Sequence, residues 1–138
     1  MVSSVCLQAT HLVIYVRKRL SPLISDIMAD TCALGFNGTM GNKGAVMVKF
    51  NFLDTKMLFI NSHLHSGLNG VANRNKDIAN IMARFVYGTA IKGQVQPKMP
   101  LPNVLIFMGD MNYRINGFKP SIVQAIAQDR YDLLLQGE

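Results

Sequence analysis

Apolar positions along the chain recur in two rhythms, one with a period of two and one with a period of three to four. Residues 4 to 16 (SVCLQATHLVIYV) are rich in β-branched side chains and predict one strand, or two strands broken near Thr10-His11. Arg17 to Ile27 reads as a short helical or irregular link. Cys32 to Phe36 and Gly44 to Phe52 predict further strands. In the second of these, Ala45, Met47, Lys49 and Asn51 alternate with Val46, Val48, Phe50 and Phe52, so one face is expected to be buried and the other wetter. Asn37-Gly38 and Gly41-Asn42 mark a loop between them. Lys56 to Ser62 is a strand joined to its predecessor through a turn at Leu53-Asp54-Thr55, which makes a hairpin.

The rhythm then changes. From Val71 to about Tyr87, Val71, Ile78, Ile81, Met82 and Phe85 fall on one side of an amphipathic helix laid on a sheet, with Gly88 as its end. Lys92 to Pro102 holds three prolines and reads as an exposed connector. Asn103 to Met108 is a continuous apolar run, expected as a strand buried on both faces and pointing at Gly109-Asp110. Pro120 or Ser121 opens a helix to about Gln128 with Ile122, Val123 and Ile126 as its apolar side, and Tyr131 to Leu135 adds a turn of helix. Antiparallel strands with helices inserted between them predict an α+β layered fold. A doubly wound dinucleotide fold is disfavoured, because GxGxxG is absent and Gly38 to Gly44 lacks the phosphate-loop spacing.

Length and composition narrow the picture. A chain of 138 residues is one domain or part of one, and 49% hydrophobic against 16% charged residues excludes a disordered polymer. The formal charge of +6 favours phosphate-bearing partners, whether nucleic acid, inositide head groups or an anionic membrane surface. The basic residues are scattered, and the one run, Arg17-Lys18-Arg19, reads as the solvated end of an element. Cys6 and Cys32 sit in apolar contexts without CxxC spacing, which reads as reduced, buried thiols of a cytoplasmic protein. No apolar stretch reaches membrane-spanning length.

Three segments carry candidate chemistry. In Gly109-Asp-Met-Asn112 an acid and an amide lie two apart past a strand, where they would point the same way if the strand continued, and Gly109 would let a substrate approach the backbone. Asp110 can take a proton from water or hold a cation, and the Asn112 amide can donate to a phosphoryl oxygen. The competing reading is an Asp-Asn turn that merely closes the strand. Asn61-Ser-His-Leu-His-Ser-Gly67 also follows an apolar strand and holds two of the three histidines; His63 is the functional candidate and His65 a bystander. His11, in an apolar stretch, reads as a satisfied core histidine. Thr39 to Gly44 is a glycine-framed loop presenting Asn42 and Lys43 to an anion, or an ordinary turn.

Taken in order, GTMGNKGAV (38 to 46), NSHLHSG (61 to 67), Arg74-Asn75 opening a helix and FMGDMNYRI (107 to 115) resemble the catalytic domain of the inositol polyphosphate 5-phosphatases, within the DNase I-like endonuclease/exonuclease/phosphatase superfamily. The resemblance spans nearly the whole chain. It implies a four-layer β-sandwich flanked by helices, incomplete at both ends, with residues 1 to 138 forming a partial catalytic domain. It also implies Mg²⁺-dependent hydrolysis of the 5-phosphate of a phosphoinositide lipid or a soluble inositol polyphosphate. Carried over by position, Asp110 resembles the acid that orients and deprotonates water, and Asn112 and His63 match residues that hold the phosphoryl group. Tyr113 and Arg114 match the pair gripping the 4-phosphate, and Asn42 with Lys43 looks like the contact to the 1-phosphate region. The family's metal-binding Glu has no counterpart, since the one Glu is Glu138, so the metal ligands are unknown. No His follows His65 to match a late Asp-His pair, and a further 4-phosphate lysine is unmatched, with Lys119 or Arg130 as stand-ins.

The expectation is therefore a 5-phosphatase catalytic segment, inactive in isolation. A second reading is a non-catalytic remnant that binds inositide or a partner, and a third is a nuclease of the same superfamily using its charge for DNA. Nucleic acid is not the expected partner, because GNKG and NYR suit inositide phosphates. The expected location is cytoplasmic, with peripheral, charge-driven membrane contact.

Overall fold

A computed structural model describes residues 1–36, 38–87, 90–91, 94–95 and 101–136. The chain opens with an antiparallel hairpin, β1 (Ser3–Leu7) and β2 (Thr10–Ile14). The break falls at Gln8-Ala9, where Gln8 takes a φ of 46°, and not at Thr10-His11. A 3₁₀ helix (Lys18–Leu23) leads into three long antiparallel strands, β3 (Ile24–Gly35), β4 (Met40–Phe52) and β5 (Thr55–His63). Helix α1 (Val71–Met82) runs on as a π-helical turn, Ala83–Tyr87. A two-residue ladder, β6 (Ala90–Ile91) and β7 (Gln94–Val95), interrupts the connector, and Gly88 lies outside the described residues. Strand β8 (Val104–Asp110), α2 (Lys119–Ala127) and α3 (Tyr131–Leu135) complete the order.

The main sheet has the order β3-β4-β5-β8, antiparallel except for the parallel β5·β8 pair. That pair needs a crossover, which α1 supplies by lying over one face. On this face Cys32, Ala45, Met47, Leu58 and Ile60 pack with Leu64, Ile81, Phe85 and Val86. On the other face Val46, Val48 and Phe50 pack with Leu12 of the hairpin, and Phe50 stacks on Phe59 at 5.6 Å between centroids. Hairpin, sheet and helix are thus three of the layers expected of a DNase I-like sandwich.

Two strands exchange the environments that their patterns predict. β4 is buried on both faces, because it sits between two strands and beneath both the hairpin and α1. Even Lys49, assigned to the wetter face, is 7% exposed, and desolvation pushes its ammonium pKa down from the ordinary 10.5, with neighbouring Lys56 adding to the effect. β8, the continuous apolar run, is an edge strand paired, among the described residues, with β5 alone, and Val104, Leu105, Ile106 and Met108 are each 36–39% exposed. An apolar run reports affinity for a core but not how many neighbours the strand has. The apolar side of α2 is open as well, at Val123 and Ile126.

The glycine-framed loop is shorter than expected, since Met40 to Gly44 belong to β4 and pair with β3. Cys32 is buried, which pushes its thiol pKa up and makes it unreactive, but Cys6 is exposed. His11 is exposed too and bonds Ser4 Oγ at 2.9 Å, because it and Cys6 face each other on the outer side of the hairpin. Among the described residues no helix is long and apolar enough to cross a membrane.

Candidate active site

Strands β5 and β8 run in parallel register from Met57 opposite Val104 to His63 opposite Asp110, so their carboxyl ends set these two side chains next to each other. The ends of parallel strands are where an open sheet leaves its crevice. Gly109 makes the approach possible. Its φ is +121°, and a Cβ there would overlap Ser62 O and stand 2.7 Å from Asn61 Oδ1. What approaches that backbone is thus β5, where a substrate was expected.

His63 Nε2 lies 3.5 Å from Asp110 Oδ2 and 2.7 Å from Lys43 Nζ. Lys43 arrives from β4, whose Gly44 pairs with His63. An ammonium has only donors, so Lys43 donates to Nε2, and Asp110 Oδ2 stands at 3.5 Å from the same nitrogen without a hydrogen bond to it. The His63 and Asp110 side chains are 31% and 62% exposed, which leaves the cluster open to a ligand. Asn42 points to the other side of β4, as alternation requires, with its amide oxygen lying over Gly35. The structure therefore brings Lys43, and not Asn42, to His63.

Asn112 does not continue β8. It adopts a left-handed φ of 54°, and its N–H donates to Asp110 Oδ1 at 3.0 Å, a turn that closes the strand. Asp110 and Asn112 consequently do not share a face: Asp110 is exposed and Asn112 is buried at 8%. Asn112 Nδ2 donates to Leu64 O at 2.9 Å, and its Oδ1 accepts from Arg114 Nη2 at 3.0 Å. Leu64 N–H in turn donates to Asp110 O at 3.0 Å, so the His63 and Asp110 loops are knotted together through Asn112. Tyr113 reaches α1, where its hydroxyl donates to Asn75 Oδ1 at 2.7 Å. Of the two stand-ins, Arg130 forks onto Asp132 in a surface pair that holds the Asp132 carboxyl pKa below its usual value.

The sequence reading gave Asp77 no role. Its Oδ2 accepts from the His65 backbone N–H at 2.9 Å and meets His65 Nδ1 at 2.6 Å, so His65 is held on α1, where both line a polar cavity of about 390 Å³ with Asn73, Lys76 and Asn80. Only the fold joins these residues; the available signals were a second histidine two places after His63 and an acid on the Arg74-Asn75 helix.

Among the described residues no three His, Cys, Asp or Glu side chains gather as a metal cage. In the cluster with His63 and Lys43, Asp110 is the one described carboxylate, and this donor set falls short of a divalent-cation site.

Over its whole length, residues 1–138, the sequence matches the Endonuclease/Exonuclease/phosphatase family 2. The chain belongs to this family. Members similar to it include the mouse type II inositol 1,4,5-trisphosphate 5-phosphatase, 30% identical over 86% of this chain and 12% of that protein. Human synaptojanin-1 is 30% identical over 92% of the chain and 8% of its own length. The Arabidopsis thaliana type I inositol polyphosphate 5-phosphatase 2 is 28% identical over 88% of the chain and 19% of its length. The crystal structure of the inositol polyphosphate 5-phosphatase domain of SPsynaptojanin, in complex with inositol (1,4)-bisphosphate and calcium ion, superposes with a TM-score of 0.81 at 28% identity. That match covers 98% of this family member and 37% of the solved chain. The expected DNase I-like fold is thereby established, and the segment spans less than a fifth of each of these curated relatives.

Proposed function

We propose that the chain forms the phosphate-gripping and water-activating face of an Mg²⁺-dependent inositol polyphosphate 5-phosphatase, acting on a phosphoinositide lipid or a soluble inositol polyphosphate. The observation that carries this reading is the convergence of Lys43, His63 and Asp110 where β5 and β8 end. Transfer of a phosphoryl group to water depends mainly on positioning and on neutralising oxygen charge. In this reading the exposed Asp110 carboxylate orients the attacking water and takes its proton. When a phosphate arrives, Lys43 passes its hydrogen bond from His63 to a phosphoryl oxygen, which frees the ring to take the tautomer with its proton on Nε2 and donate to the same group beside the Asn112 amide. Tyr113 and Arg114 grip the 4-phosphate, and Asn42, on the far side of β4, is left for the 1-phosphate region.

A divalent ion supplies charge neutralisation when bound, and the residues described here contribute at most Asp110 to it, so no step is assigned through the metal. For the same reason these 138 residues alone are expected to bind an inositol phosphate without releasing phosphate, which is the one respect in which the binding-only reading is favoured. Location in the cytoplasm, with charge-driven contact at membranes, belongs to the same proposal, and nucleic acid is not its substrate.

The test is a domain exchange. Residues 1–138 replace the matching segment of the SPsynaptojanin 5-phosphatase domain, and phosphate release from inositol 1,4,5-trisphosphate is measured in Mg²⁺. A folded exchange protein that releases phosphate, and whose Asp110→Asn variant is slower by about 10²- to 10⁴-fold, is the expected result. A folded, inactive exchange protein, or an Asp110→Asn variant at near-full rate, would refute the assignment.

A further inference from the structure

We infer that Arg74 is a positioning residue, locking the histidine-bearing loop to Tyr113 so that the Tyr113-Arg114 pair is held at a fixed place beside His63 and Asp110. The inference deepens the phosphatase reading and rests on it for what Tyr113 grips.

Arg74 is completely buried, which is rare for a guanidinium unless it has a specific task. Among the described residues no carboxylate forms an ion pair with it. Its Nη1 donates to Gly67 O at 2.8 Å and approaches His65 O at 3.4 Å, both in the loop that follows His63. Nε and Nη2 have no hydrogen-bond partner among the described residues. The guanidinium instead faces the Tyr113 ring, with Cζ 5.1 Å from its centroid, within cation–π range. Asn75, the next residue on α1, accepts from the Tyr113 hydroxyl. The first turns of α1 thus hold Tyr113 by its face and by its tip, while the same arginine holds the backbone leading from His63. Space for this is reserved by Gly70, where a Cβ would stand 2.8 Å from Arg74 Nη1.

A buried arginine could simply stabilise the loop, and that role would not depend on the Tyr113 ring. Nη1 alone meets both carbonyls, and a lysine ammonium could do as much, but only the planar guanidinium also lays a flat face against the Tyr113 ring. Retaining charge without the planar face therefore separates positioning from a generic electrostatic effect.

The experiment is a double-mutant cycle on the full chain with Arg74→Lys, Tyr113→Ala and their combination, plus Asn75→Ala, which alters an exposed residue. The probe is inositol (1,4)-bisphosphate in Ca²⁺ buffer, titrated by calorimetry, and the Tyr113 ring signals are followed by NMR with urea midpoints measured in parallel. Arg74→Lys should weaken the probe about tenfold in the wild-type background and less than twofold in Tyr113→Ala, while Asn75→Ala weakens it with an unchanged urea midpoint. Arg74→Lys and Asn75→Ala should each shift the Tyr113 ring signals without ligand. Additive losses across the cycle, or Tyr113 signals unmoved by either variant, would overturn the inference. If the wild type does not bind the probe, the phosphatase reading fails, and the Tyr113 signals still decide the positioning claim. If Arg74→Lys does not fold, Gly70→Ala and Asn75→Ala carry the test, because a methyl at residue 70 displaces Nη1 from its carbonyls.

Discussion

Asn112→Ala should be among the most damaging single changes near the cleft, and its cost can be worked from two contacts and one backbone angle. The side chain is buried at 8%, and its Nδ2 is the donor to Leu64 O at 2.9 Å, so truncation strands a carbonyl between the two loops at a cost of about 1–3 kcal/mol. Its φ of 54° adds to this, because asparagine tolerates the left-handed region and alanine pays about 1 kcal/mol more there. The Arg114 contact at 3.0 Å is partly exposed and adds little to stability. The sum is about 2–4 kcal/mol, read as a fall in the urea midpoint of far-ultraviolet circular dichroism at unchanged slope. Asn112→Gly separates the two parts, since glycine removes the hydrogen bond but relieves the backbone. It should lie about 1 kcal/mol above Asn112→Ala. A loss below about 0.5 kcal/mol for Asn112→Ala, within the range of ordinary surface changes, would refute the knot described here.

Lys49→Met should stabilise the chain by about 1 kcal/mol, as a side chain that is mostly buried and whose ammonium is partly desolvated is replaced by an apolar one of similar length. Because the folded-state pKa of Lys49 is lowered, the unfolded chain binds more protons, so wild-type stability rises as pH climbs toward 10.5. That part of the slope should vanish in Lys49→Met, and equal slopes in the two proteins would count against it. The open β8 edge should drive self-association visible by light scattering, with Ile106→Lys reducing it; a monodisperse wild type at high concentration would show that the edge is protected. The unaltered chain should release no phosphate from inositol 1,4,5-trisphosphate at any Mg²⁺ concentration, and robust release lost in His63→Ala would show that one carboxylate at the cleft is enough.

Elements with a strong local signature were legible in the sequence. The β4–β5 hairpin, α1 with its three-to-four spacing, and the helix opening near Pro120 lie close to their predicted bounds. What was not legible depends on neighbours. β4 and β8 both read as apolar, yet one lies at the centre of the sheet and the other at its edge, and the pattern of a strand does not encode its position in the sheet order. The same holds for Cys6 and His11, whose apolar flanks concealed an outward face of the hairpin. At the site, motif order was enough to bring His63 and Asp110 into one discussion, but the register that makes them adjacent is a tertiary fact. His65 with Asp77 and Arg74 with Tyr113 pair across 12 and 39 residues of chain, beyond any local pattern.

The central claim is that Lys43, His63 and Asp110 form one phosphate-binding cluster. Its most direct test is a backbone-amide NMR titration of the full chain with inositol (1,4)-bisphosphate in Ca²⁺ buffer. The structure predicts saturable shifts concentrated at residues 43, 63–65 and 110–114, where three strand ends meet, and their loss in the double variant Lys43→Ala/His63→Ala. Shifts centred on the Arg17–Arg19 run, or spread evenly over basic residues with no response at His63 or Asp110, would contradict it.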